Sequence, residues 1–431
     1  MLPAATVHRR SYRFAALVVG VVVLAAACGN SKSSGGAAAG PGQTDGVLAK
    51  EIDVGALVAK TGLLGNQYLP LTYGIQAYFN EVNAKGGVNG RLLKLTKIRD
   101  DATNPTRSTA QAKALVEEDK VFAVFASSPI FPAGTYLAQK AVPTFGTNFN
   151  VEWDSGPTLF GHNGSHNAYT AATPFLPWLA KQVGTTTAAT IAYTVASSAD
   201  CSKGMVNSFN KFGIKVGLAD QSLQFGASDV SGDIQRIKES GAGLVATCMD
   251  PSGNTLIAKG LRQAGLTNVK MYWPNGYDNE TLASYKDLME GVYFGLQHVP
   301  FESAGQVPEM QRFLDAMKRD YPSESLRETM LFGWINAKLF VEGLKTVGKD
   351  VTRKKLVDAI NKMTHFDADG LIPGIDWTTQ HKESGPYDCT APVQVQQGKF
   401  VPVFGRDGTP FVCFTSPNAT TTDPIPVPKF S

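Results

Sequence analysis

Strands and helices alternate along most of this chain, and that rhythm permits few architectures. The β-rich run EIDVGALVA (51–59) leads through a loop to TYGIQAYFNEVNAKGG. That segment sets Ile75, Tyr78, Phe79 and Val82 at helical spacing and stops at Gly86-Gly87. The chain turns at Asn89-Gly90 into a second strand ending in KLTKIRD. TNPTRSTAQAKALVEEDK reads as a helix with Pro105 in its first turn. VFAVFAS is an apolar strand of the kind covered on both faces. A loop and helix (SPIFPAGTYLAQK) and a short strand (VPTFG) follow.

After a loop around residues 150–170 the alternation resumes. Helices are expected in TAATPFLPWLAKQVG, CSKGMVNSFNKFG, VSGDIQRIKESG, NTLIAKGLRQAG and ETLASYKDLMEG. Strands are expected in AATIAYTV, IKVGLADQSL, GLVATC, VKMYWP and VYFGLQ. Strands separated by helices of this length form parallel sheets with helices on both faces. Two such runs predict an α/β fold of two doubly wound parallel-sheet lobes. From Pro308 the chain turns helical, and its long middle helix sets Leu331, Ile335, Leu339 and Leu344 near one face. The last segment is irregular and β-rich, with a Pro-rich tail.

The N-terminus is a different kind of sequence. Arg9, Arg10 and Arg13 precede the apolar run AALVVGVVVLAAA, too short for an ordinary spanning helix and ending in small residues. This is the pattern of a secretory signal. Leu24-Ala25-Ala26-Ala27-Cys28 resembles the lipobox of bacterial lipoproteins, with Leu24 one place further from the cysteine than is usual. The resemblance implies cleavage before Cys28 and lipidation of its thiol. The Gly/Ser/Ala-rich stretch that follows reads as a flexible tether, which an anchored protein needs and a freely secreted one does not.

Removing the signal takes away three of the 40 basic residues and leaves 37 against 37 acidic ones. A near-neutral chain has no electrostatic footprint for nucleic acid or an anionic membrane surface. Five cysteines become one anchor and four in an oxidising compartment. Three disulfide pairings are open to those four, and buried free thiols are the alternative. Cys389 and Cys413 flank an apparent hairpin, so Cys389–Cys413 is expected, leaving Cys201–Cys248.

Catalytic signatures are absent: there is no HExxH, closely spaced CxxC pair or GxGxxG. GLKTVGKD matches GxxxxGK but has Asp350 where Ser or Thr must bind magnesium, and it follows a helix. Ser165 lies between His162 and His166 in HNGSH, but a nucleophile elbow needs GxSxG between strand and helix. No catalytic residue, metal or cofactor is expected.

The order and spacing of GALVAKTGLLGNQ, GIQAYFNEVNAKGGVNGRLLKL, RDDATNP and FASSPIFPA resemble the type I periplasmic-binding-protein superfamily, and most closely its leucine/isoleucine/valine-binding branch. LRQAGLTNVKMYWPNGY carries the family's helix, strand and cleft loop in the second half. The resemblance spans about residues 51–400. It implies two lobes joined by three crossovers, with one small ligand held between them. The expected division is a signal peptide (1–27), lipidated Cys28 and tether (28–49), lobe 1 (50–168 and the helical 300–365), and lobe 2 (169–299, and 366–431 with the tail).

Strand-end physics and the resemblance together nominate ligand contacts. Ligands sit beyond the carboxyl ends of parallel strands. Ser127 and Ser128 lie at such an end before a helix, where free N–H groups suit a carboxylate; helix capping is their alternative role. Gln67 and Tyr68, Asn148 and Asn150, Asp250, and Asn275 and Tyr277 complete the set. Two residues depart from the family pattern: Asn275 stands where an acid would pair with a ligand ammonium, and Cys201 replaces an aromatic. Asp250 or Asp278 would then have to supply the anion, or the ligand is not an α-amino acid.

The expected activity is extracytoplasmic capture of a small polar organic solute for an ABC importer: a branched-chain or other amino acid, an amide or a small carboxylate. The expected partners are a membrane permease and its ATPase, with the membrane reached only through the lipid anchor and the chain a monomer. A receptor subunit reporting to a separate signalling partner, and a secreted hydrolase built on Ser165, are the alternatives.

Overall fold

The computed structural model describes residues 44–428 except Leu63, Asn167, Ala168, Ser384 and Pro386; the signal segment, Cys28 and the tether as far as residue 43 lie outside the described residues. The first sheet contains β1 (Glu51–Val58), β2 (Leu92–Asp100), β3 (Val124–Ser127), β4 (Thr144–Gly146) and β5 (Leu159–Gly161). Its order is β2-β1-β3-β4-β5 and every pairing is parallel. Parallel neighbours require crossovers, which the helices Leu71–Ala84, Pro105–Lys113 and Ala133–Gln139 help supply. β5 falls in the stretch read from sequence as a loop; three residues are too few to display a period.

The second sheet contains β6 (Thr187–Tyr193), β7 (Lys215–Leu223), β8 (Leu244–Cys248), β9 (Lys270–Tyr272) and β10 (Tyr293–Leu296), all parallel. The β-rich last segment, with its expected hairpin, adds antiparallel strands to this sheet. β11 (Tyr387–Gln396) runs antiparallel to β10, and β12 (Lys399–Pro402) and β13 (Val412–Thr415) antiparallel to β11. Gln397 and Gly398, at φ 52° and 70°, form the two-residue turn that closes the β11–β12 hairpin and reverses the chain there.

The helix Glu328–Val347 is buried nearly all round. Leu331, Ile335, Leu339 and Leu344 are inside as expected, but so are Met330, Phe332, Trp334, Phe340 and Val341. On one side Phe340 packs on Phe125 of β3 and Phe145 of β4, with ring centroids 5.8 and 5.5 Å apart. On another, the helix crosses Leu71–Ala84 so closely that only glycine fits at the contact. A Cβ on Gly74 would stand 1.8 Å from the Met330 carbonyl oxygen, and one on Gly333 would stand 2.0 Å from that of Leu71.

Two disulfides lie in the second sheet's half, joining the cysteines paired in the sequence reading. Cys201–Cys248 ties the helix Ala196–Lys211 to the end of β8, and Cys389–Cys413 ties β11 to β13. Beside the latter, burial pushes the Asp388 carboxyl up to about 6. A raised carboxyl favours the protonated folded state, so its contribution is intact below the unfolded value of 3.8 and is lost as pH rises through about 6. Asp388→Asn should therefore stabilise the protein by on the order of 2 kcal/mol above pH 7 and by nothing at pH 3.5. Urea midpoints at the two pH values decide it: an equal gain at both would rule out the charge as the cause.

Candidate functional site

The loops after β1, β4, β8 and β9, with the start of the Glu328–Val347 helix, line a shallow cleft open to solvent. After β1 the chain is held by Asp100 at the end of β2. This carboxylate accepts from the Lys60 amide (2.9 Å), the Thr61 amide (3.2 Å), the Thr61 hydroxyl (2.6 Å) and the Ala102 amide (2.9 Å). Burial works against its charge, but these bonds hold the carboxyl below its ordinary value. The loop so fixed presents Gln67 and Tyr68 to the cleft, and the Thr329 hydroxyl donates to the Gln67 carbonyl at 2.7 Å. Burial, reinforced by Asp250 and Asp101, pushes the Tyr68 phenol up, so it stays a neutral hydrogen-bonding group.

The facing wall is Asn275, Gly276, Tyr277 and Asp278. Asn275 donates to the Met249 carbonyl at 3.0 Å and accepts, through its own carbonyl, from Asn254 at 3.2 Å. Tyr277 is buried; its hydroxyl donates to Glu302 at 2.6 Å and accepts from the Phe301 amide at 2.7 Å. With its hydroxyl committed, Tyr277 packs its ring against Phe301 and Phe400, centroids 5.0 and 4.7 Å away. Phe149, Pro251, Arg327, Glu328 and Thr329 complete the lining.

The other nominated residues sit behind this surface. The Ser127 hydroxyl is wholly buried with no hydrogen-bond partner among the described residues, and Ser128 accepts weakly from the Ile130 amide at 3.5 Å. Asn148 donates to the Gly164 carbonyl at 2.7 Å and accepts from the Tyr169 hydroxyl, pinning the stretch that leaves the first sheet. Asn150 donates to the Pro129 carbonyl at 2.8 Å. Asp250 caps the helix Pro251–Gln263 by accepting from the Ser252 and Gly253 amides, and takes the Tyr193 hydroxyl at 2.5 Å. A second concavity, lined by Arg262, Lys286, Asp287, Glu290, Gln397 and Gly398, is a solvent-open surface away from the strand ends.

Residues 51–399 match the family model described as periplasmic binding protein. The chain belongs to that family. Its two sheets and their helices are the family's type I fold, and as a member it is a solute-binding protein. Leu/Ile/Val-binding protein homolog 7 of Brucella melitensis biotype 1 is 23% identical to this binding protein over 378 residues, 82% of this chain and 91% of that one. A fatty acid ABC transporter substrate-binding protein from Thermomonospora curvata superposes with a TM-score of 0.69 at 17% identity, covering 84% of this chain and 93% of its own. An ABC transporter solute binding protein from R. palustris, solved in complex with benzoate, gives 0.67 at 19% identity over 82% and 95%. At these identities the likeness to the solved structures is one of fold.

The charged residues of the binding protein's cleft come from an unexpected direction. Arg327, only 11% exposed at its side chain, faces Asp278 at 3.6 Å and is paired with Glu280. The Asn279 amide also donates to the Leu326 carbonyl at 3.1 Å, so the two segments are joined by backbone as well as by charge. Asp278 is further engaged as the cap of the helix Asn279–Met289. Arg327 and Glu328 were not among the residues nominated from sequence. The available signal was a charged pair at the start of the helix, which identifies a site only once the topology brings that helix end to the strand ends.

Ser165 has none of the geometry of a nucleophile. It is wholly buried, donates to the Leu159 carbonyl and accepts from the Gly161 amide at 3.3 Å. Burial pushes the neighbouring His162 imidazole down to about 3, so it is neutral, and it stacks on Phe332 with centroids 3.8 Å apart. Among the described residues no group of three His, Cys, Asp or Glu side chains is placed to hold a metal, and no helix is long and apolar enough to cross a membrane.

Proposed function

We propose that the protein is the extracytoplasmic solute receptor of an ABC importer, held to the cell membrane by lipid on Cys28. It takes a small polar organic solute between its lobes and passes it to a membrane permease whose ATPase supplies the energy. The observation that carries this reading is the cleft, with Gln67 and Tyr68 from the first sheet's loops opposite Asn275–Asp278 from the second's. In this reading residues 50–168 and 300–365 form one lobe, and 169–299 with 366–431 the other. Ligand contacts made only when the lobes close would shift the population to the closed form. Val151, Val195 and Phe225, exposed by 59%, 47% and 42% beyond the ends of β4, β6 and β7, are the apolar surface that closure would cover.

The family's range, as its relatives' names print it, runs from leucine, isoleucine and valine to fatty acids and benzoate. Native mass spectrometry of freshly purified protein should find a bound small molecule. A thermal-shift screen of amino acids, amides and carboxylates should find one that raises Tm, since ligand at a hundred times its Kd adds about 2.7 kcal/mol. No bound molecule and no shift across the three classes would sink the receptor reading. Separately, Cys28→Ser should leave solute affinity unchanged and release the protein or block its cleavage. Membrane association identical to wild type would overturn the anchor.

A further inference from the structure

The chain passes between the half built on the first sheet and the half built on the second three times: after β5, after β10, and between the helix Arg353–Ile360 and β11. The sequence has six histidines, and the five among the described residues all lie in these passages. His162 and His166 are in the first, His298 in the second, His365 and His381 in the third. The passages are also tied to one another by backbone. The His166 amide donates to the Gln380 carbonyl at 2.9 Å, and the Val299 amide to the Leu371 carbonyl at 2.8 Å. The side chains most able to change charge just below neutral pH are therefore gathered where the two halves are joined.

The five divide by surroundings. Three stand beside a carboxylate that suits a protonated ring: His166 Nδ1 is 3.7 Å from Asp154, His365 Nε2 is 3.7 Å from Asp367, and His298 Nε2 is 2.9 Å from Glu328. The other two have no such neighbour. His381 Nε2 lies 3.0 Å from Asn361 Oδ1, an oxygen turned toward it because Asn361 Nδ2 donates to the Pro157 carbonyl at 2.9 Å. That oxygen only accepts, so Nε2 carries the hydrogen and Nδ1 is the bare nitrogen. Nδ1 is buried with no partner among the described residues, beside the rings of Phe160 and Trp377 at 5.4 and 5.6 Å, and no charged group bears on it. His162 Nδ1 is likewise buried and unpartnered among the described residues, its ring stacked on Phe332 and edge-on to Phe149. The titratable group that bears on it is His298, whose own ring meets Phe332 at 5.7 Å and which becomes a like charge when both are protonated.

A proton added to either ring would put a charged N–H against apolar rings with nothing to accept it. Burial holds His381 down to about 4, and burial with His298 holds His162 lower still. A depressed histidine contributes stability that is whole above its unfolded value of 6.5 and is lost as pH falls toward its folded one. The contact beside His381 is one of the ties, since the adjoining Gln380 carbonyl takes the His166 amide. We propose that the three passages form an acid-sensitive joint: mild acid draws His381 and His162 into water, unties the passages from one another, and frees the two halves while each keeps its core. The proposal goes beyond solute capture and holds whatever the solute is, because a cleft whose walls are joined through these passages loosens with them.

The test is hydrogen exchange read by mass spectrometry on the whole protein with no ligand added, at about pH 7.5 and about pH 5, each amide corrected for its intrinsic rate. Opening at the His166 and Val299 amides should rise about thirtyfold for each histidine it releases, from the unfolded value of 6.5 set against the folded ones. Peptides from β3 and β8 should keep their protection. His381→Gln, which keeps a donor for Asn361 and cannot take a proton, should remove one such factor at His166. His162→Gln combined with it should leave almost no acid response. An acid response unchanged in His381→Gln overturns the proposal. So does an equal rise in β3 and β8, which would be unfolding of the whole chain, or no rise at all in wild type. If His381→Gln melts at the higher pH, the imidazole resonances of wild type decide. His381 and His162 still neutral at about pH 5 support the joint, and all five rings charged at that pH overturn it.

Discussion

Gly333→Val should cost at least about 3 kcal/mol, because it inserts a side chain where two helix backbones touch. The Cβ alone would lie 2.0 Å from the Leu71 carbonyl oxygen, and the clash is with backbone, so no side-chain rotation relieves it. Separating the helices would strip cover from Leu331, Trp334 and Phe340, which are buried against the first sheet and the partner helix. Gly305→Ala is the control: nothing lies within 4 Å of its Cβ position, and the change should stay within about 0.5 kcal/mol of wild type. Urea unfolding at constant m-value measures both. A Gly333→Val midpoint near that of Gly305→Ala would show that the crossing is looser than described.

Glu309→Ala should cost about 3 kcal/mol by a different mechanism, the stranding of cations and a donor around a buried acid. Glu309 is 5% exposed and accepts from Arg312 at 3.0 Å and from the Trp334 indole nitrogen at 2.9 Å, with the Lys338 ammonium 3.9 Å away. Arg312 and Lys338 both lie over the Tyr78 ring, at 5.4 and 6.0 Å, so the cluster is a single unit. Arg312 keeps Glu81, and Lys338 keeps Asp369 and Glu342; these partners, with Arg312 about a third exposed, keep the loss from being larger. Glu309→Gln retains an acceptor for Trp334 and should recover part of the loss. If Glu309→Gln and Glu309→Ala unfold at the same urea concentration, the indole bond contributes nothing measurable.

The α/β layering was legible because apolar runs such as VFAVFAS and GLVATC are long enough to announce buried strands, and Gly or Asp-Pro punctuation marks the helices between them. β5 was not, since Leu159–Gly161 is held in the sheet by β4 rather than by any pattern of its own. Four of the nine nominated cleft residues line it, Gln67 and Tyr68 beyond β1 and Asn275 and Tyr277 beyond β9. Asp250, behind the cleft surface, and Asp278, on it, show the difficulty. An acid between strand and helix is equally suited to a ligand and to the helix's own free amides, and both were taken by the amides. Arg327 and Glu328 reach the cleft from a helix whose place depends on the whole chain path, which no local spacing encodes.

The glycine crossing also bears on when this molecule can take shape. Gly74 lies near the start of the chain and Gly333 well beyond its middle, so the first sheet's inner helix is among the last pieces to leave the ribosome. Until it arrives, Phe79 can pack on Phe125 of β3 but lacks Phe340, and the core of the first sheet stays incomplete. Contacts between such distant segments form slowly. A lobe whose core is completed only by a late segment would suit export as a thread, with folding after it has crossed.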